Sequence, residues 1–444
     1  MPLIDQVSNN WRSEKGSTQA DGHEHGEDDE RDLGFCDLDD ENSCFGRVRD
    51  LGRSRRARKM LAYALVLGTV AFFVWTRYLW PQWKEENTLR QGFLRNENGT
   101  FGIANGGEWK HGGERVVELD QRLLPGGEDD KEGKRRLVFV GDIHGCKKEL
   151  TALLDKINFD EKTDHLIATG DVLSKGLDSP GVIDELIRLN ATSVRGNHED
   201  RILASAKTLD LNADPSTLGS KKRKDEHALI KSLKKHHLKY LHTMPLILRI
   251  PSLPSASKPT KKTHSSIAEE ILVVHGGLVP AVPLEKQDPY FVMNMRSLHP
   301  KSHTPSSERA DPHNKRGKHY RPWIDIWNYY SAHLFSSKSI SGFVGFDVKA
   351  QRGDESSTAH WWDRVWLSTE WARQGWWAGR SYTSKSRPKP QVVVYGHDSK
   401  AGLQIKRWTK GLDSGCVGGG ELTAMVLDAK GRTEFSHVKC KEYW

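Results

Sequence analysis

Five apolar runs in this chain lead into glycine-containing blocks of side chains that bind metals or move protons. The run 137–140 leads into Gly141-Asp142-Ile143-His144-Gly145, and 165–169 leads into Gly170-Asp171. The run 192–194 precedes Arg195-Gly196-Asn197-His198-Glu199, 271–274 precedes His275-Gly276-Gly277, and 392–395 precedes Gly396-His397-Asp398. Asp142, His144, Asp171, Asn197, His275 and His397 together form a mixed oxygen and imidazole set. That mixture suits Zn, Mn, Fe or Co rather than Ca or Mg alone. Six ligands exceed one tetrahedral site and suffice for two divalent cations about 3.5–4 Å apart. Such a pair acidifies water and clamps the attacking and leaving oxygens of an in-line displacement at phosphorus. One block alone would be a weak sign, since Gly-His pairs are common in turns. All five, each after an apolar run, point to a single site.

Strands must carry these blocks. The short β-branched runs, with others at 245–250 and 422–427, alternate with helical patterns such as 146–157 and 180–189. That alternation predicts α/β layers around a largely buried sheet. In such sheets, sites form at the carboxyl ends of the strands. Glycine there lets the backbone turn sharply, so that the ligand leans over the sheet edge.

The chain has 444 residues, 36% hydrophobic and 28% charged, with five cysteines. Collagen-like, wholly disordered and disulfide-scaffold classes are excluded. The net charge of +8 is unevenly spread. Residues 21–41 are acidic and residues 47–59 are basic, so 1–59 reads as a disordered tail, acidic then basic. The apolar stretch 60–80 follows, close to the ~20 residues a membrane-spanning helix needs. Basic flanking on its N-terminal side keeps 1–59 cytosolic and places the rest in a lumen or outside. Residues 81–134 read as a juxtamembrane stalk containing a glycosylation sequon at Asn98, and 135–444 as the catalytic domain. Insertions fall near 251–268, 300–321 and 351–390, the last rich in tryptophan.

The pattern GDIHG…GD…GNHE…HGG…GH resembles the calcineurin-like metallophosphoesterases of the phosphoprotein-phosphatase superfamily. The resemblance implies a four-layer α/β/β/α sandwich, here on one N-terminal transmembrane helix. It implies that Asp142, His144 and Asp171 bind a first metal, and Asp171, Asn197, His275 and His397 a second. His198 would give a proton to the leaving oxygen. Protein phosphatases carry Asp-Arg where this chain has Ser174-Lys175, so the partner that orients His198 is left open. Lys175, Cys146 and the block 396–428 are similar to the ApaH-like branch, relatives of bacterial diadenosine tetraphosphatase. With the N-terminal span, the chain most resembles fungal vacuolar endopolyphosphatases. That implies zinc (or Co, Mn, Fe), a bridging hydroxide that attacks long inorganic polyphosphate internally, and a single-pass type II vacuolar location with a lumenal catalytic domain. No nucleic-acid partner is expected, and the oligomeric state is left open.

Lys175 and Arg296 are expected to stabilise charge on the phosphate, with Arg195 a weaker choice. Lys221, Lys222, Arg223 and Lys224 open a basic stretch, either a solvated helix face or a groove for a polyanion. Of three possible lumenal cysteine pairings, Cys416–Cys440 is preferred, because Cys146 belongs near the metals. The alternatives are a symmetrical dinucleoside polyphosphate hydrolase, a Ser/Thr phosphoprotein phosphatase, and a metal-dead membrane-tethered scaffold.

Overall fold

A computed structural model describes residues 55–81, 83–84, 87–89, 114–210, 212, 219–254, 269–280, 282–311, 319–334 and 391–443. Asn98, the Lys222 side chain, the tryptophan-rich insertion and the acidic tail lie outside the described residues. The chain divides into two units, Met1–Pro81 and Gln82–Trp444.

In the first unit, helix α1 (Arg55–Val74) continues as a π-helical turn, Trp75–Leu79. Arg58–Leu79 is long and apolar enough to cross a membrane. Met60, Leu61, Phe72 and Phe73 on it are exposed.

The strands of the second unit are β1 (Val116–Glu118), β2 (Arg136–Val140), β3 (Asp164–Ala168), β4 (Thr192–Ser193), β5 (Ile247–Ile250), β6 (Glu270–Val273), β7 (Ser297–Leu298), β8 (Pro305–Ser306), β9 (Arg321–Pro322), β10 (Gln391–Tyr395), β11 (Gln404–Ile405), β12 (Thr409–Gly411), β13 (Glu421–Asp428) and β14 (Thr433–Lys439). Two mixed sheets result, ordered β1-β5-β6-β10-β12-β11 and β14-β13-β2-β3-β4, with a small sheet β8-β7-β9 beside them. The strands that precede the glycine blocks are parallel within each large sheet: β2, β3 and β4 in one, β6 and β10 in the other.

β2 shows why these runs are apolar throughout. Successive side chains point to opposite faces of a sheet. Leu137 and Phe139 join a core that includes Ile271, Val273 and Val392 of the other sheet. Val138 and Val140 join a second core with helix residues such as Leu150, Leu153 and Val182. Parallel neighbours need crossovers. Helix α2 (Lys147–Lys156) links β2 to β3 and α3 (Ser179–Arg188) links β3 to β4. Asp178 starts α3 by accepting the Gly181 N–H at 2.8 Å, with Pro180 in the first turn. The other α-helices among the described residues are α4 (Asn197–Thr208), α5 (Lys221–Ser232), α6 (Lys235–Thr243), α7 (Pro289–Asn294) and α8 (Trp323–Leu334).

Two expectations change. Part of the segment 81–134, read as a stalk, belongs to the folded unit: β1 pairs in parallel with β5, and Leu119 and Leu124 enter the core between the sheets. The polar segment 300–321 is not only insertion: Pro305–Ser306 and Arg321 lie in the small sheet against Ser297–Leu298. A disulfide joins Cys416 to Cys440, S–S 2.14 Å, and Cys146 is free and buried.

Candidate active site

The carboxyl ends of β2, β3 and β4 meet those of β6 and β10, so both large sheets supply the site. Two groups of buried side chains share one carboxylate: His144, Asp171 and His198, and Asp142, Asp171 and His275. Asp171 Oδ2 lies 3.6 Å from His144 Nε2 and 3.9 Å from His198 Nε2. Its Oδ1 lies 3.3 Å from His275 Nε2, and that nitrogen is 3.0 Å from Asn197 Oδ1. The His397 ring centroid is 4.9 Å from that of His275, and the His397 N–H reaches both Asp142 oxygens at 3.2 Å. All six expected metal ligands therefore gather in one place.

Close approach explains two of the glycines. A Cβ on Gly396 would meet Asp142 Oδ1 at 2.1 Å, and one on Gly196 would meet Asp171 Oδ1 at 2.2 Å. His144, Asp171, Ser174, Lys175 and His397 all have positive φ. Strained backbone of this kind persists where surrounding structure over-determines it, commonly at functional sites.

The histidines present lone pairs suited to a metal. His144 Nδ1 lies 3.1 Å from the Leu173 carbonyl, His275 Nδ1 2.9 Å from that of Thr169, and His397 Nε2 3.1 Å from that of Asn294. A carbonyl only accepts, so each of those nitrogens donates; the other ring nitrogen of His144 and of His397 keeps its lone pair, whereas His275 Nε2 faces the acceptors Asn197 Oδ1 and Asp171 Oδ1 and carries a proton that a cation would replace. Hydrogen bonding of this type sets the ligating nitrogen in metal sites. Lys175 Nζ donates to the lone pair of His144 Nε2 at 3.0 Å.

Charge points the same way. Burial pushes His144 down to about 4 and His198 to about 3, and with His275 it holds His397 well below its usual value. Burial opposes charge on His275 too, but Asp171 and Asp142 beside it bring it up to about 10. Burial and the adjoining Asp413 raise Asp142 well above the carboxylate range. Burial also works against an ionised Asp171, which His275 and His198 nonetheless hold low. Two carboxylates thus draw on one imidazolium for positive charge. Divalent cations fit this donor set and would supply that charge.

Glu199 closes the block 195–199, and the structure gives it a role. Its Oε2 accepts the N–H groups of Asp171 and Gly196, each at 2.8 Å. Its Oε1 accepts those of Val172 at 2.9 Å and Leu173 at 3.3 Å. One buried carboxylate thereby ties the β3 loop to the start of α4. Its place three residues into α4 from Gly196 is the capping-box position, a signal legible in sequence. Asp413, beside Asp142, and Arg201, whose Nη2 lies 3.0 Å from His198 Nδ1, had no such signal.

The expected phosphate contacts divide. Lys175 reaches the ligand cluster. Arg296 stands beside it, donating to the carbonyls of Ser307 at 3.0 Å and His397 at 3.3 Å. Arg195 does not reach it: wholly buried, it donates to the carbonyls of Leu241 and His242. Lys221, Arg223 and Lys224 are exposed on α5. A cavity of about 160 Å³ beside the His397 loop is lined by Arg296, Arg309, Trp323, Tyr395, Asp398 and Gln404 among others.

Asp184, His236 and His237 form another cluster of ligand types. His237 Nδ1 accepts the Lys234 N–H at 3.1 Å, so its proton is on Nε2, 2.8 Å from Asp184 Oδ1. This is a hydrogen-bonded clasp between α3 and α6.

A family profile described as calcineurin-like phosphoesterase matches residues 135–401. A symmetrical bis(5'-nucleosyl)-tetraphosphatase of Shewanella putrefaciens is 26% identical over 297 residues, 65% of this chain and 94% of that protein. Its counterpart in Aeromonas hydrophila is 28% identical over 299 residues, 64% of this chain and 92% of that protein. A crystal structure described as a candidate diadenosine tetraphosphatase is 26% identical, covers 74% of this chain and 99% of its own, and superposes with a TM-score of 0.46.

Proposed function

Because the chain belongs to the calcineurin-like phosphoesterase family, which uses a binuclear metal centre, we propose that it is a metal-dependent phosphoanhydride hydrolase that splits dinucleoside polyphosphates symmetrically. The observation that supports the metal chemistry is Asp171, whose two oxygens face two different clusters of ligand side chains. Asp142, His144 and Asp171 would hold one cation, and Asp171, Asn197, His275 and His397 the other. When bound, the cations supply an acidified water and positive charge for an in-line displacement at phosphorus. Lys175 offers its ammonium to the equatorial phosphate oxygens, where charge grows in the transition state. Arg296 holds the His397 loop through its carbonyl, and His198 turns Nε2 toward the departing oxygen.

The substrate rests on the relatives, which the chain matches over nearly their whole length. Endopolyphosphatase is the second reading, favoured by the exposed Lys221, Arg223 and Lys224 as a track for a polyanion. Both readings take the helices and two large sheets as a four-layer sandwich. Both take α1 as a single-pass anchor, with the hydrolase in the lumen of the vacuole. The test gives the purified full chain a dinucleoside tetraphosphate and long-chain polyphosphate, with Zn, Co, Mn and Mg compared in turn. Nucleoside diphosphate as the sole nucleotide product is expected. Polyphosphate shortened to mid-length fragments, with the dinucleotide left intact, would replace this reading by the second.

A further inference from the structure

The cavity of about 160 Å³ lies against the ligand loops, since Gly276 and Asp398 in its wall directly follow His275 and His397. Its charged lining is two arginines, Arg296 and Arg309, and one acid, Asp398. Arg309 donates to Asp398 Oδ1 from Nε, at 2.7 Å, and from Nη2. Arg296 Nε is 4.0 Å from the same oxygen and makes no hydrogen bond among the described residues. One carboxylate thus serves two guanidiniums, which do not lose their protons, and positive charge is left over. Gln404 adds a neutral donor: its Oε1 accepts from the Tyr395 hydroxyl at 3.2 Å, which leaves its amide nitrogen to donate. The aromatic wall is held firmly. A Cβ on Gly277 would meet the Trp323 ring at 2.7 Å, and one on Gly411 would meet the Tyr395 ring at 2.5 Å. A pocket fixed in this way needs little ordering when an anion enters it.

We propose that Arg309, together with Arg296, forms a subsite for a second phosphate, one joined through a bridging oxygen to the phosphate under attack. The site then reads a chain of phosphates rather than a single phosphoryl group. The subsite rests on the phosphoanhydride reading and serves both substrates weighed there, since each contains such a chain. Arg309 reaches it from the polar segment 300–321, beyond β8. The planar fork of a guanidinium fits two oxygens of a carboxylate or of a phosphate, so one anion can replace the other. Asp398 is the interim partner: it pairs with Arg309 until a phosphate takes its place. A phosphomonoester has no second phosphate to offer and gains nothing from Arg309.

The test titrates the full chain in detergent, at a constant free concentration of one divalent metal, with methylenediphosphonate and with orthophosphate. The first carries two phosphorus groups that water cannot separate, and the second carries one. Calorimetry compares wild type, Arg309→Gln and Arg309→Lys. Arg309→Gln should weaken methylenediphosphonate about tenfold, the scale of charge-assisted hydrogen bonding, and leave orthophosphate within about twofold. Arg309→Lys keeps the charge but loses the fork, and should fall between. Bound metal should be equal in all three proteins. If Arg309→Gln fails to fold, Arg309→Lys still carries the comparison. Equal weakening of both ligands, or loss of metal, would show that Arg309 only pins the His397 loop and would overturn the subsite, as would diphosphonate binding that does not move. Turnover of a dinucleoside tetraphosphate by the same wild type keeps the two claims apart. Hydrolysis without the selective loss overturns the subsite alone. A wild type that hydrolyses no phosphoanhydride overturns the functional reading and the subsite together.

Discussion

Glu199→Gln tests how the two central loops are held. Each Glu199 oxygen accepts two backbone N–H groups, so an amide would turn two of those four bonds into donor–donor clashes. The expected cost is about 3 kcal/mol, read from denaturant unfolding of the metal-free protein. An unchanged midpoint would show that the loops are held by something else. Gly396→Ala tests close approach: its Cβ would enter the space of Asp142 Oδ1. Activity should fall about a hundredfold with the unfolding midpoint nearly kept, since ligand misplacement of an ångström is enough. The six ligand types were legible in the sequence because each lies just after an apolar run and next to a glycine. Arg201 and Asp413 were not. Arg201 meets His198 in its own helix and Glu226 on another, and Asp413, after β12, acts on Asp142, after β2 in the other large sheet. Neither contact leaves a spacing to detect.

β2 carries the two cores on its alternate faces, and the run was legible as a strand for that reason. Phe139 is fully buried between the sheets, so Phe139→Ala should cost about 3–5 kcal/mol in chemical denaturation. A cost below ~1 kcal/mol would mean that this face is not core. The assignment of the five runs to two different sheets could not be read from the runs themselves, because a strand buried on both faces looks the same in either. β1, β7, β8 and β9 escaped notice for a simpler cause. Each has only two or three residues, too few to show a period. β1 is placed by a partner far along the chain, β5, and β7, β8 and β9 are placed by one another.

At the scale of the whole molecule, the apolar helix and the hydrolase are separable units in sequence. Deleting residues 1–80 should leave hydrolysis intact and abolish co-sedimentation with lipid vesicles, while continued sedimentation would place the membrane contact elsewhere. Chelation should remove activity from full-length and shortened chains alike, with recovery on adding back a divalent cation. The account as a whole stands on six side chains, from two sheets, enclosing two cations around Asp171. Elemental analysis of the purified, active full chain measures this most directly. About two divalent metal ions per wild-type chain are expected, with a clear loss in folded Asp171→Ala. Full activity with one ion or none bound, or an Asp171→Ala protein that keeps both ions, would contradict the account.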